Sequence, residues 1–115
     1  LLSSVAAKTG MPYHASIAAA KGGVEGLALS LAAEFASQNI RVNVVAPSLT
    51  DTSLAGNLLN TAEKRESSAK RHPLGRIGKP EDIASAISFL LSDESGWISG
   101  QVLGIDGGMG NLKTL

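Results

Sequence analysis

Cysteine is absent from this chain of 115 residues, which excludes a disulfide framework and any thiolate metal site. Histidine occurs only twice. A zinc centre would have to be completed by carboxylates, no HExxH-type spacing is present, and no metal site is expected. Neither sign of charge is in excess, since ten Lys and Arg balance ten Asp and Glu. Nucleic acids and anionic membranes bind through a basic surplus that displaces counterions, so neither is an expected partner. No apolar run approaches the roughly 20 residues of a membrane span. An initiating Met and a signal-peptide pattern are also missing at Leu1-Leu2-Ser3-Ser4, and the chain is expected to be a piece of a longer protein. Neutrality and the lack of Cys fit a cytoplasmic location. The length fits one domain at most, able to bury about two-thirds of its unfolded surface.

What is present is a succession of helix and strand patterns. Leu1, Leu2 and Val5 read as the end of a buried strand entering a loop that closes at Gly10-Met11-Pro12. From about Ala15 to Gln38, Ile17, Val24, Leu27, Leu31 and Phe35 recur with the period of one helix face, between small residues. Gly22, Gly23 and Gly26 each cost about 1 kcal/mol relative to Ala, and close approach of another backbone is expected to offset them. Asn39 reads as a helix stop. Ile40 to Val45 read as a strand, apolar at nearly every position, as suits a parallel sheet covered on both faces; Pro47 ends it. Residues 48 to 57 are turn-rich, and Leu58 to about Arg71 read as a polar helix broken by His72-Pro73. Pro80-Glu81-Asp82 opens a further helix with Ile83, Ile87, Leu90 and Leu91 as its core face. Gln101 to Ile105 read as a third strand, closed by the turn Asp106-Gly107-Gly108.

Helices separate each pair of strands, and right-handed crossovers then give an α/β architecture with a doubly wound parallel sheet. About three strands and three helices are too few for a complete fold of this type.

Five segments follow one another in a telling order: Ser3-Ser4-Val5-Ala6, the Ala- and Gly-rich helix around Lys21, Ile40-Arg-Val-Asn-Val-Val-Ala-Pro47, Gly75-Arg-Ile-Gly-Lys-Pro-Glu-Asp-Ile-Ala84, and Ile98-Ser-Gly-Gln-Val-Leu-Gly-Ile-Asp-Gly-Gly108. Together they resemble the C-terminal half of a short-chain dehydrogenase/reductase, over essentially the whole chain. The resemblance implies the C-terminal part of a Rossmann-like sheet, with residues 1–115 as the second half of one domain and the dinucleotide-phosphate-binding half absent. It implies hydride exchange between NAD or NADP and a small-molecule alcohol or carbonyl. It also implies a homodimer or homotetramer formed through the helix near residues 15–38.

Members of the family carry a catalytic Ser, a Tyr thirteen residues later and a Lys four beyond that. By resemblance the Tyr exchanges a proton with the substrate oxygen, the Lys lowers the Tyr pKa and holds the nicotinamide ribose, and the Ser orients the carbonyl. Four residues advance a helix by roughly 6 Å, so Tyr and Lys share one face. Ser4 matches the Ser and Lys21 the Lys, but Ile17 stands where the Tyr belongs. Ile cannot move a proton. Tyr13 would lie two turns, roughly 12 Å, from Lys21, and His14 has a side chain suited to acid catalysis at neutral pH. A folded-back loop would bring either towards the missing hydroxyl, which makes Tyr13 and His14 candidate catalytic residues. In the loop after the second strand, Pro47 matches a Pro-Gly turn with Ser48 replacing the Gly. There Thr50 occupies a backbone-contact position and Thr52 matches a cofactor-binding Thr. The carboxyl end of a parallel strand is also where open α/β sheets bind ligands.

Other features read as structural: His72 as the neighbour of a helix-terminating proline, Glu63 to Glu66 as a solvated face, and Gly104 to Gly110 as a terminal turn rather than a GxGxxG fingerprint. Three functions remain open. The chain belongs to an NAD(P)-dependent oxidoreductase, or to a catalytically degenerate relative serving as a binding or assembly subunit, or it is a fragment without activity of its own.

Overall fold

A computed structural model describes residues 1–115. The longest element, α1, spans Ala15–Phe35 and runs on through a 3-10 turn at Ala36–Gln38. Asn39 ends it in the left-handed region at φ 59°, its N–H donating to the Ala36 carbonyl. The buried side of α1 overlaps the expected one in part, since Val24, Leu31 and Phe35 are half-buried. Glu25, Ala28 and Ala32 are buried, whereas Ile17 and Leu27 are 43% and 52% exposed. The small side chains of Ala28 and Ala32 let the helix settle closely, while Ile17 and Leu27 are turned outward. The close backbone approach expected at the helix glycines is not found within residues 1–115. A Cβ at Gly22, Gly23 or Gly26 would meet nothing within 4 Å. At Gly100, held at φ 70°, a Cβ would lie 3.7 Å from that of Ala32.

The first strand, β1, spans Val44–Pro47, and its three leading residues are buried. It starts four residues later than the β-branched run suggests. Over residues 41–43 side chains supply partners that a regular ladder would otherwise give: Ser99 Oγ accepts from Val42 N, and the Asn43 amide bridges Ile98 O and Gln101 N. The second strand, β2, spans Val102–Ile105 and pairs in parallel with β1, Val44 opposite Val102 and Pro47 opposite Ile105. On the other side of β1, Leu2 forms a parallel bridge with Val45, with Ser3 N donating to Val45 O at 2.8 Å. The order is therefore the 1–3 segment, β1, β2, all parallel.

Between β1 and β2 lie a 3-10 segment at Ser53–Leu58, the helix α2 at Ala62–Lys70 and the helix α3 at Pro80–Leu91. α2 begins later than Leu58 because Thr61 caps it, accepting from Lys64 N at 3.2 Å. Pro80 opens α3 as expected, and Asp82 Oδ2 accepts from Lys79 N at 2.8 Å. Ile83, Ile87 and Leu90 are half-buried, but Leu91 is 79% exposed. Arg41 ties the start of β1 to the far end of α3, its guanidinium donating to the carbonyls of Leu90, Ser92 and Ile98. No helix is long and apolar enough to cross a membrane.

Candidate active site at the carboxyl edge of the sheet

The register of Leu2 with Val45 puts Ser4 level with Pro47, so both reach the same carboxyl edge of the parallel strands. Ser4 has extended backbone and caps the 3-10 turn Val5–Ala7, its Oγ accepting from Ala6 N at 3.2 Å. Lys21, on α1, donates from Nζ to the Leu2 carbonyl at 3.1 Å. The chain before Ser4 is fixed to α1 a second time, because Ser3 Oγ lies 2.7 Å from Glu25 Oε1 and 3.4 Å from the Lys21 carbonyl. The structure thus brings the Ser4 turn and Lys21 onto the same corner of the molecule.

Ile17 lies one turn before Lys21 and is 43% exposed. No hydrogen bond draws either neighbouring candidate towards it. Tyr13 is fully exposed at φ 64°, a left-handed conformation that turns the loop just before α1. His14 lies 2.7 Å from the Pro12 carbonyl through Nδ1; a carbonyl only accepts, so Nδ1 carries the proton and Nε2 is the free ring nitrogen.

The turn after β1 is held by three backbone hydrogen bonds. Ser48 N donates to the Ile105 carbonyl, Asp51 N donates to Gly78 O, and Gly78 N returns a bond to Leu49 O. Thr50 Oγ1 donates to the Ser48 carbonyl at 3.0 Å. Thr52 is exposed and its side chain caps nothing. Asp51 receives a bidentate pair of bonds from Arg65 of α2 at 2.9 and 3.0 Å. Beside this turn opens a cleft of about 370 Å³ whose lining includes Ser48, His72, Arg76, Asp82 and Gly107. Across it Arg76 grips Asp82 at 2.6 and 3.0 Å, which, with the Lys79 N–H, holds the Asp82 carboxyl at a pKa of about 2.

Two residues that sequence reasoning passed over are built into this region. Glu25 is a buried carboxylate on α1, with no sequence signal beyond its place one turn after Lys21. His72 is buried rather than a mere neighbour of Pro73, with Nε2 2.8 Å from Ser48 Oγ and Nδ1 2.8 Å from the Ser68 carbonyl.

A family model described as enoyl-(acyl carrier protein) reductase matches residues 1–110. The chain belongs to the short-chain dehydrogenase/reductase family. It is 48% identical over 108 residues to a 3-oxoacyl-[acyl-carrier-protein] reductase FabG of Thermotoga maritima, covering 94% of this chain and 43% of that protein. It is 44% identical over 110 residues to a Xanthobacter autotrophicus protein called inactive 2-(S)-hydroxypropyl-CoM dehydrogenase 2, covering 92% of this chain and 48% of that one. Among solved structures it is similar to a gluconate 5-dehydrogenase from Burkholderia cenocepacia in complex with NADP and tartrate. There the TM-score is 0.90 at 33% identity, over 97% of this chain and 44% of that one. The fold is accordingly the Rossmann-like α/β fold of short-chain dehydrogenases/reductases, and the chain spans less than half the length of these relatives.

Proposed function

We propose that residues 1–115 form the C-terminal half of one domain of an NAD(P)-dependent oxidoreductase that interconverts a small-molecule alcohol and a carbonyl by hydride transfer. The observation that carries this reading is the convergence of Ser4, Lys21 and the turn from Pro47 to Thr52 on one carboxyl edge. The donor set suits a nicotinamide ribose and carboxamide. Lys21 spends one of its three protons on Leu2 O and keeps two for ribose hydroxyls. Ser4 Oγ accepts from Ala6 N, which leaves its own proton to orient a substrate oxygen. Pro47, Ser48, Thr50 and Thr52 supply the nicotinamide side, with Thr52 free to turn towards a ligand. When bound, NAD or NADP supplies or takes up the hydride. The Gly-rich turn for the pyrophosphate belongs to the half outside this chain, so the 115 residues alone are not expected to be active.

The proton is the open part of this chemistry. Ile17 moves none, which leaves His14, with Nε2 free, or Tyr13 to carry it. The same residue favours a second reading, a degenerate family member acting as a binding or assembly subunit. Similarity to a relative called inactive supports it. In both readings the chain assembles as a homodimer or homotetramer through α1, whose outward Leu27 and Leu29 need a partner, and works in the cytoplasm.

Titration of the full-length protein with NADH and NADPH, followed by a carbonyl panel with Ile17→Tyr, tests the choice. Cofactor binding with at least tenfold faster turnover in Ile17→Tyr is expected, since a placed general acid contributes about 10²–10⁴-fold. Binding without any gain favours the degenerate subunit, and no binding overturns the oxidoreductase reading.

A further inference from the structure

The His72 ring is wedged where three turns meet at the carboxyl edge: the turn after β1, the stretch from Ser68 to Gly75, and the turn after β2. Leu74 N donates to Gly107 O at 3.1 Å. A Cβ at Gly107, where φ is +61°, would lie only 3.4 Å from that of His72. At 3% exposure His72 is buried in the wall of the cleft, and both ring nitrogens have partners within the protein. Nδ1 faces the Ser68 carbonyl at 2.8 Å. That oxygen only accepts, so Nδ1 carries a proton, and in the neutral ring Nε2 then presents a lone pair. Ser48 Oγ, 2.8 Å away, therefore donates to Nε2.

Ser48 has one hydroxyl proton and two acceptors within reach, His72 Nε2 and, at 3.0 Å, Met109 Sδ. A thioether is the weaker acceptor, so the imidazole takes the bond. The consequence reaches along the turn. Ser48 stands where the resemblance expects Gly, and its side chain gives the turn an anchor that Gly lacks. Its carbonyl accepts from Thr50 Oγ1 at 3.0 Å, so a fixed Ser48 fixes the backbone at Thr50. The bidentate clamp between Arg65 and Asp51 restrains the next residue. Ser48 and His72 thereby close the two ends of the segment that contains α2.

We propose that His72 is a positioning residue: by accepting the Ser48 hydroxyl it sets the turn from Pro47 to Thr52 in the conformation that receives the nicotinamide side of the cofactor. This rests on the oxidoreductase reading for its ligand, but not for its geometry. Without the ring, Ser48 keeps only the Met109 sulfur, and the turn after β1 loses its tie to the end of α2.

The test uses the full-length protein in four forms: wild type, His72→Ala, Ser48→Ala and the double variant. Each single variant is expected to weaken NADH or NADPH binding by roughly three- to tenfold, the effect of one net hydrogen bond. The double variant is expected to be no weaker than the worse single one, because both remove the same bond. His72→Gln, which keeps a polar atom towards Ser48, recovers most of the affinity. Without cofactor, amide hydrogen exchange at residues 49–52 rises in both single variants. In the wild type, nitrogen-15 chemical shifts report the His72 Nδ1–H tautomer, assigned by comparison with His14→Ala. An Nε2–H tautomer, additive losses, or unchanged exchange at 49–52 would overturn the proposal. A wild type that binds neither cofactor overturns the oxidoreductase reading instead, and the tautomer and exchange results then decide the anchoring role by themselves.

Discussion

Replacing Ser3 by Ala should be more costly than its size suggests, because Ser3 serves a buried carboxylate. Glu25 is 8% exposed and Ser3 5%. The bond between Ser3 Oγ and Glu25 Oε1 is 2.7 Å, while the alternative acceptor for that hydroxyl, Lys21 O, is at 3.4 Å. The cation near Glu25 is Lys8, 3.7 Å from Oε2 on a side chain 70% exposed. A hydrogen bond to a charged group contributes about 1.5–3 kcal/mol, whereas an exposed ion pair contributes about 0–1 kcal/mol. Ser3→Ala should therefore cost about 2 kcal/mol and Lys8→Ala under about 1 kcal/mol. Glu25→Ala leaves Ser3 with only its long contact and should cost at least as much as Ser3→Ala. The double variant Ser3→Ala/Glu25→Ala should fall short of the sum by about 1 kcal/mol or more, since both single changes remove one shared bond. Urea unfolding of the full-length protein gives these differences from midpoints at constant slope. A Ser3→Ala cost below about 0.5 kcal/mol, or a Lys8→Ala cost equal to it, would refute the reasoning. The carboxylate would then be held by charge and not by the short hydrogen bond.

Asn39→Ala should destabilise by about 1–2 kcal/mol and Asn39→Gly by far less, because φ is 59° at that position; thermal unfolding compares the two. The Asp82 carboxyl sits at about 2, below its ordinary 3.8, chiefly because Arg76 donates to it. A depressed carboxyl pKa stabilises the fold above the ordinary value, and that contribution is lost as pH falls through about 2. Arg76→Gln should raise the Asp82 titration towards 3.8, as followed by carbon-13 shifts of its carboxyl, and should move acid unfolding to higher pH. Gly22→Leu should leave each subunit folded, as no atom lies within 4 Å of the added Cβ, yet lower the assembly state in light scattering if α1 is the interface. An unchanged assembly would place the interface elsewhere.

Local chemistry made much of the fold legible in the sequence. Asn39 stops α1 and Pro80 opens α3 because both act on their own backbone, and the β-branched run around Val44 announced a strand covered on both faces. The buried side of α1 was legible only in part. Apolar periodicity finds Val24, Leu31 and Phe35, which are half-buried, but not Ala28, Ala32 and Glu25, which settle furthest inward. The same holds for the site. Ser4 and Lys21 are paired by their match to the family pattern, not by composition or periodicity. The pairing of Ser48 with His72 depends on a turn folding back across 24 residues, for which no spacing rule exists. The left-handed Tyr13 is hidden too, since bulky residues seldom adopt it.

The parallel pairing of β1 also dictates when this part of the molecule is able to form. Asn43 meets the Leu1 backbone nitrogen 42 positions back and Gln101 58 positions ahead. No neighbouring segment substitutes for either, so the central strand cannot gain both flanks through local contacts. Loop closure must come first, and the return arrives only when distant pieces meet. On a ribosome, Val44 to Pro47 emerge long before Val102 does. During that interval one side of the most buried strand waits unpaired, and the nascent chain is at its most exposed to aggregation and to chaperone capture.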